Sequence, residues 1–234
     1  MNIGFQKFCN WSIVGFLILY LGAFAGLAGF IPPSAPMTST ADLALFYATN
    51  RTGILVGQIL CVFAVTLLFF WPIAISAQMA KIERGAFPLL SIVQYVTAAI
   101  LATLFMLCNL IWIAAVYRSD IDPLTLRTLH DLGWLVFVMA YPEYIVQLIC
   151  IAIVGLSDTR ATPWLPRWAC WATLWVAVMG IGGGAAAFFK TGPFAWNGLI
   201  GFWLPVGFFL LWLLGIILPR TNAALKRDAL EAAR

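Results

Sequence analysis

Six long apolar runs divide the chain, at about 11–31, 53–75, 87–116, 133–156, 168–189 and 198–218. Each holds about 20 or more residues, the length an α-helix needs to cross a hydrocarbon core of ~30 Å. The third is long enough to tilt or to project beyond the bilayer. Charged residues collect between the runs. This pattern predicts an all-α fold: a polytopic transmembrane bundle of six spans in one domain. The first run follows a single base, Lys7, and leads into Pro32, Pro33 and Pro36, a poor cleavage site, so it reads as a retained helix. Two shorter elements fall outside the runs. Ser39-Thr40-Ala41-Asp42 has capping-box spacing, and Leu43, Phe46 and Tyr47 then share a helical face. A short helix over 40–48 is expected at the membrane surface or over the bundle mouth. The tail 221–234 is rich in helix formers after Pro219 and reads as a basic helix near the headgroups.

Charge orients the bundle. An even number of spans puts both termini on one side. That side carries nine bases: Lys7, Lys81, Arg84, Arg160, Arg167, Arg220, Lys226, Arg227 and Arg234. The other side carries four: Arg51, Arg118, Arg127 and Lys190. The positive-inside rule then expects cytoplasmic termini in a bacterial inner membrane. Trp11, Trp71 and Trp168 fall at the inner ends of spans, and Trp112, Trp134 and Trp196 at the outer ends, as an aromatic belt would place them. The chain is 63% hydrophobic and only 9% charged, which leaves no room for a sizeable soluble domain. Its net charge of +4 suits anionic headgroups, so the lipid bilayer is the expected partner and nucleic acid is not. Five scattered cysteines without a CxxC pair read as packing residues. One histidine, His130, in an expected loop gives no metal or haem ligand set, and no cofactor is expected.

Polar residues inside the runs carry the candidate chemistry. Glu143 is the only formal charge in 133–156 and follows Pro142, which tends to kink a helix. Such an intramembrane carboxylate is costly and reads as functional by default. It lies about ten residues, or ~15 Å, from the outer end, with no lysine or arginine at that depth. A protonatable carboxyl hydrogen-bonded to Tyr20, at matching depth, or to a glutamine is expected. Gln147 lies one turn further along the same face, and Gln94 matches its depth. Met139, Glu143, Gln147 and Cys150 would form one inward stripe. Glu143, Tyr20, Gln147 and Gln94 are therefore the candidate substrate- or proton-binding residues.

Small residues suggest close helix contacts. Gly22 and Gly26 form GxxxG, a motif for intramolecular packing or for a homo-oligomer. The run 180–187 is glycine- and alanine-rich and could unwind where it faces protein or a cavity. Trp71-Pro72, Tyr141-Pro142 and Leu204-Pro205 place a proline in each even span, at different depths, so no repeat is read from them. The segment 41–70, with Asp42, Phe46-Tyr47, Asn50-Arg51 and a small-residue start to the next span, resembles a group of uncharacterised bacterial polytopic membrane proteins. The resemblance implies their topology and a bacterial origin, and no activity. Histidine clusters, GxSxG and P-loop motifs are missing, and the spans hold a single carboxylate. The leading expectation is a non-enzymatic subunit or accessory of a membrane assembly, with a membrane-protein partner. A small transporter or channel using Glu143 is the rival, and an enzyme acting on a lipid is the third class.

Overall fold

The computed structural model describes residues 2–83 and 85–233; Arg84 and Arg234, counted above among the bases, lie outside the described residues. All regular structure among the described residues is helical, and six helices are long and apolar enough to cross a membrane: Ile3–Leu27, Arg51–Ala80, Leu89–Tyr117, Pro123–Ser157, Arg167–Ala185 and Leu199–Ala232. Several run beyond the apolar stretches because polar caps start them early. Asn2 accepts from the Gly4 amide and starts the first helix at Ile3. Asp122 accepts from the Thr125 amide, with Pro123 at the first helical position, so residues expected as loop, His130 included, are helical.

Most of these helices are broken. The first consists of α1 (Ile3–Leu21) and a π-helical turn (Gly22–Leu27). After the short α2 (Thr40–Thr49), the second divides into α3 (Arg51–Leu68) and α4 (Trp71–Ala80). The third, α5 (Leu89–Tyr117), is continuous. The fourth divides at Ala140 into α6 (Pro123–Met139) and α7 (Tyr141–Ser157), and the fifth into α8 (Arg167–Gly180) and the single turn α9 (Gly182–Ala185). In the sixth, π-helical turns Leu199–Trp203 and Leu213–Ile217 flank α10 (Leu204–Trp212), and α11 (Leu218–Ala232) completes it. The central α5 packs against α3, α4, α6 and α7; α1 lies on α3, α4 and α11; α8 joins α7 to α10.

The small-residue contacts differ from expectation. Gly22 and Gly26 face open space, with no atom within 4 Å of an added Cβ. The close approach is made by Gly53 and Gly57 of α3. A Cβ at Gly53 would lie 2.5 Å from the Leu27 carbonyl oxygen, and one at Gly57 2.8 Å from that of Ala23. The widened π turn of the first helix therefore seats its backbone on the glycine face of α3. The tryptophan belt is also corrected. Trp71, Trp112, Trp134 and Trp196 are buried, and only Trp11 and Trp168 of the six are exposed. Of these, Trp112 and Trp134 join Phe24, Phe30 and Phe137 in one aromatic cluster between the first helix, α5 and α6, and Trp71 stands edge-on to Trp212. Packing consumes them because their rings fill the wide spaces left by broken helices.

The two ends are tied differently. At the end opposite the termini, Ser39 caps α2 by accepting from the Asp42 amide, and Leu43 and Tyr47 are buried beneath it while Phe46 is only half-buried. At the termini end, the tail is docked rather than free. Asp228 accepts from Lys81 Nζ at 2.5 Å and Gln78 Nε2 at 2.9 Å, and Trp164 Nε1 donates to Thr221 Oγ1 at 3.2 Å. The buried tail face is Thr221, Ala224 and Leu225, and Ala223 and Leu230 are exposed. The connection between α7 and α8 turns on Asp158, whose side chain is fully buried. It accepts from Arg160 Nε and Nη2 and from the Trp164 amide, each at 2.8 Å. Burial alone pushes this carboxyl up; the bonds from the Arg160 side chain and the Trp164 and Arg160 amides outweigh it and hold it below its ordinary value.

Two predictions follow from these contacts. Gly57→Ala should lower stability by about 1–3 kcal/mol, because the new methyl meets backbone that cannot swing aside; Gly26→Ala should not, and thermal melts in detergent compare them. Asp158 is more acidic in the folded state, so its contribution is complete above the unfolded value near pH 4 and is lost as pH falls. The gap in melting temperature between wild type and Asp158→Asn should be full at pH 7 and shrink below pH 4.

Candidate functional site

Four of the interruptions converge on one place. A cavity of about 140 Å³ is lined by residues of all six spanning helices, including both ends of the α3–α4 break (Leu68, Trp71, Pro72) and the α6–α7 break (Val138, Ala140, Tyr141). Gly180 and Gly183 contribute from the α8–α9 break, and Gly201, Phe202 and Pro205 from the π turn ahead of α10. Phe16 closes it from α1, and Ala98, Leu101 and Phe105 from the middle of α5. The three prolines of the even spans, or their immediate neighbours, thus meet here despite their different places in sequence. Proline removes one backbone N–H and clashes with the preceding turn, so each span parts where it passes the cavity.

Glycine makes the convergence possible. A Cβ at Gly183 would run into the Val138 carbonyl, and one at Gly182 into that of Ile200. At Gly180 and Gly184 it would lie 2.7 Å and 2.8 Å from the rings of Tyr144 and Tyr141. The run 180–187 is therefore a close-packing surface that lets α8 and α9 press onto two broken helices. Only α9, a single turn, and hydrogen-bonded turns through Phe189 follow Gly180.

The walls are almost wholly apolar, with a few polar groups. Gln147 is 2% exposed and makes no hydrogen bond among the described residues. Trp71 is equally buried, and its Nε1 has no partner. Tyr144 donates to the Val176 carbonyl at 3.4 Å, which leaves its ring on the cavity. Unpaired polar groups at a buried cavity lack the hydrogen bonds that offset their desolvation, and a bound molecule can supply them.

The four residues singled out from sequence are separated. Gln147 alone lines the cavity. The Tyr20 hydroxyl pairs with Asn109, which also donates to the Phe105 carbonyl, tying α1 to α5. The Gln94 carbonyl accepts from Ser76 Oγ at 2.5 Å, tying α5 to α4, and its Nε2 is unpartnered. Glu143 does not line the cavity, is half-buried, and has no hydrogen bond or ion pair among the described residues. The expected bond from Glu143 to Tyr20 or to a glutamine does not form. The break at Ala140 resets the helical phase, so Met139 turns outward, at 40% exposed, while Gln147 and Cys150 stay buried. The same break gives Glu143 an environment that composition does not show. It lies in the first turn of α7, a helix N-terminus in the middle of the long helix Pro123–Ser157. Trp71, Tyr144 and the glycines of 180–184 were missed as site residues. The prolines in every even span were the available signal.

The chain matches no protein-family model, no curated protein and no solved structure in such comparisons. Function must be argued from the site.

With no partner to lose, Glu143→Gln should change stability by less than about 0.5 kcal/mol. A thermal melt in lipid nanodiscs measures this, and a loss of several kcal/mol would reveal a partner for the carboxylate.

Proposed function

We propose that this chain is a multi-pass protein of a bacterial cytoplasmic membrane, with both termini in the cytoplasm, whose central cavity has a non-enzymatic role: it holds a small, mainly apolar molecule. The carrying observation is that cavity: an apolar chamber at mid-bundle, lined by every spanning helix, with Gln147 and Trp71 presenting unpaired polar groups. Cavities of about 150 Å³ with apolar walls stay dry and accept benzene-sized molecules. The suited ligand is of that size, an aromatic or branched aliphatic group with one hydroxyl or similar function to meet the Gln147 amide. Such a role fits an accessory subunit of a membrane assembly. A carrier is the second reading, favoured by the three proline-broken spans, because discontinuous helices mark the binding sites of many transporters.

The test uses a benzene-sized diazirine probe, photoactivated with the protein in lipid nanodiscs. Labels should concentrate on peptides containing 98–105 and 137–147. Ala98→Phe, which fills the cavity from α5, should cut this labelling roughly tenfold, equivalent to ~1.4 kcal/mol. Phenol should compete better than benzene in the wild type, and Gln147→Leu should abolish the difference. Labelling spread over the lipid-facing surface and indifferent to Ala98→Phe would overturn the reading.

A further inference from the structure

At the bundle end opposite the termini, the imidazole of His130 joins three separate segments. Its Nε2 lies 2.7 Å from Ser34 Oγ, in the connection before α2, and its Nδ1 lies 2.9 Å from the Tyr47 hydroxyl of α2. His130 is 3% exposed on α6. We propose that Ser34 is a nucleophile and His130 its general base, and that this site cleaves short acyl or aryl esters. It is separate from the central cavity and does not rest on the function proposed for it.

Geometry and order support the assignment. A hydroxyl within hydrogen-bond reach of an imidazole, whose second nitrogen is held by a third group, is the arrangement that activates serine. The cluster is held from several sides. Trp196 Nε1 donates to the Ser34 carbonyl at 2.8 Å, and Arg127 Nη2 donates to the Pro36 carbonyl at 3.2 Å, which fixes the proline-rich segment on both sides of the nucleophile. Trp112 Nε1 lies 3.4 Å from the His130 carbonyl, and the rings of Phe30, Tyr47 and Trp134 stand edge-on to the imidazole. Burial pushes the Tyr47 phenol well above its ordinary range, and the nearby Asp131 charge adds to this, so it stays a neutral hydrogen-bonding group. A pocket of about 210 Å³ opens beside Ser34 and His130, walled by Phe30, Leu43, Phe46 and Trp134. These walls suit a short acyl or aryl group.

In the active tautomer, Nδ1–H donates to the Tyr47 oxygen and Nε2 accepts from Ser34. Ser34 Oγ forms a bond to the ester carbonyl carbon while its proton passes to Nε2. The tetrahedral adduct collapses, the carbon–alkoxide bond breaks, and Nε2 returns the proton to the leaving alkoxide, which departs as an alcohol. Water then attacks the acyl-serine carbonyl as Nε2 takes its proton, and collapse breaks the acyl–Oγ bond while Nε2 returns that proton to Ser34 Oγ, which releases the carboxylic acid and restores the serine. Tyr47 is a positioning residue, because it acts through the imidazole.

The experiment treats the full chain in nanodiscs with a fluorophosphonate reporter and maps the adduct by mass spectrometry, with p-nitrophenyl acetate hydrolysis in parallel. One adduct per chain is expected, on Ser34. Ser34→Ala should abolish labelling and hydrolysis, and His130→Gln, which keeps hydrogen-bonding groups but removes the base, should slow both about 100-fold. Tyr47→Phe should move the pH midpoint of the labelling rate, which a purely structural tie would leave in place. Thermal melts establish that each variant is folded. A folded wild type that takes no label at Ser34, or labels no faster than folded His130→Gln, would overturn the proposal; it would then leave the cluster as a staple closing the bundle end.

Discussion

Backbone satisfaction in an apolar medium is the constraint on which the rest of the molecule depends. A helix interior meets all its own hydrogen bonds, and a break exposes groups that hydrocarbon cannot satisfy. This chain breaks or widens most of the six helices long and apolar enough to cross a membrane, so in such a medium the broken backbone must be packed against protein. The solution is to gather four of these interruptions at mid-bundle against α5, which is continuous. Glycines at 182 and 183 then bring backbone against the carbonyls of Ile200 and Val138, and Gly53 and Gly57 do the same for the π turn of the first helix. Close packing of broken segments leaves a residual space, and that space is the cavity.

The same constraint explains where the polar residues went. Tyr20 pairs with Asn109, and the Gln94 carbonyl oxygen with Ser76, in contacts that link α5 to a neighbour, while Gln94 Nε2 is left unpaired. Gln147 and Trp71 keep unpaired groups, and both lie on the cavity. Gln58 of α3 is fully buried with neither amide atom paired, and nothing in the structure accounts for it. Glu143 sits beside a mid-span helix start instead of among these pairs, and its half-exposure separates it from the chamber.

Helix number and class were legible in the sequence because apolar length is a strong, one-dimensional signal. The short α2 was legible because a capping box is local chemistry, read from Ser39 and Asp42 alone. What could not be read depended on helical phase and rotation. The stripe from Met139 to Cys150 assumed an unbroken helix, and the break at Ala140 turned its first half away. Gly22-x-x-x-Gly26 and Gly53-x-x-x-Gly57 look alike as strings, and only packing distinguishes the exposed pair from the buried one. Likewise, tryptophans near span ends fit an interfacial belt by position, yet four of them fill the core. His130 seemed isolated because its partners, Ser34 and Tyr47, lie more than 80 residues away in sequence.

Occupancy of the cavity by a small molecule has a visible signature. A cryo-electron microscopy map of the protein in lipid nanodiscs tests this most directly. Parted helices are expected at Phe69–Phe70 and Ala140, with non-protein density between Ala98, Gln147 and Phe209. Continuous helices through those positions, or side chains of α5 and α10 packed together with no space between them, would contradict it.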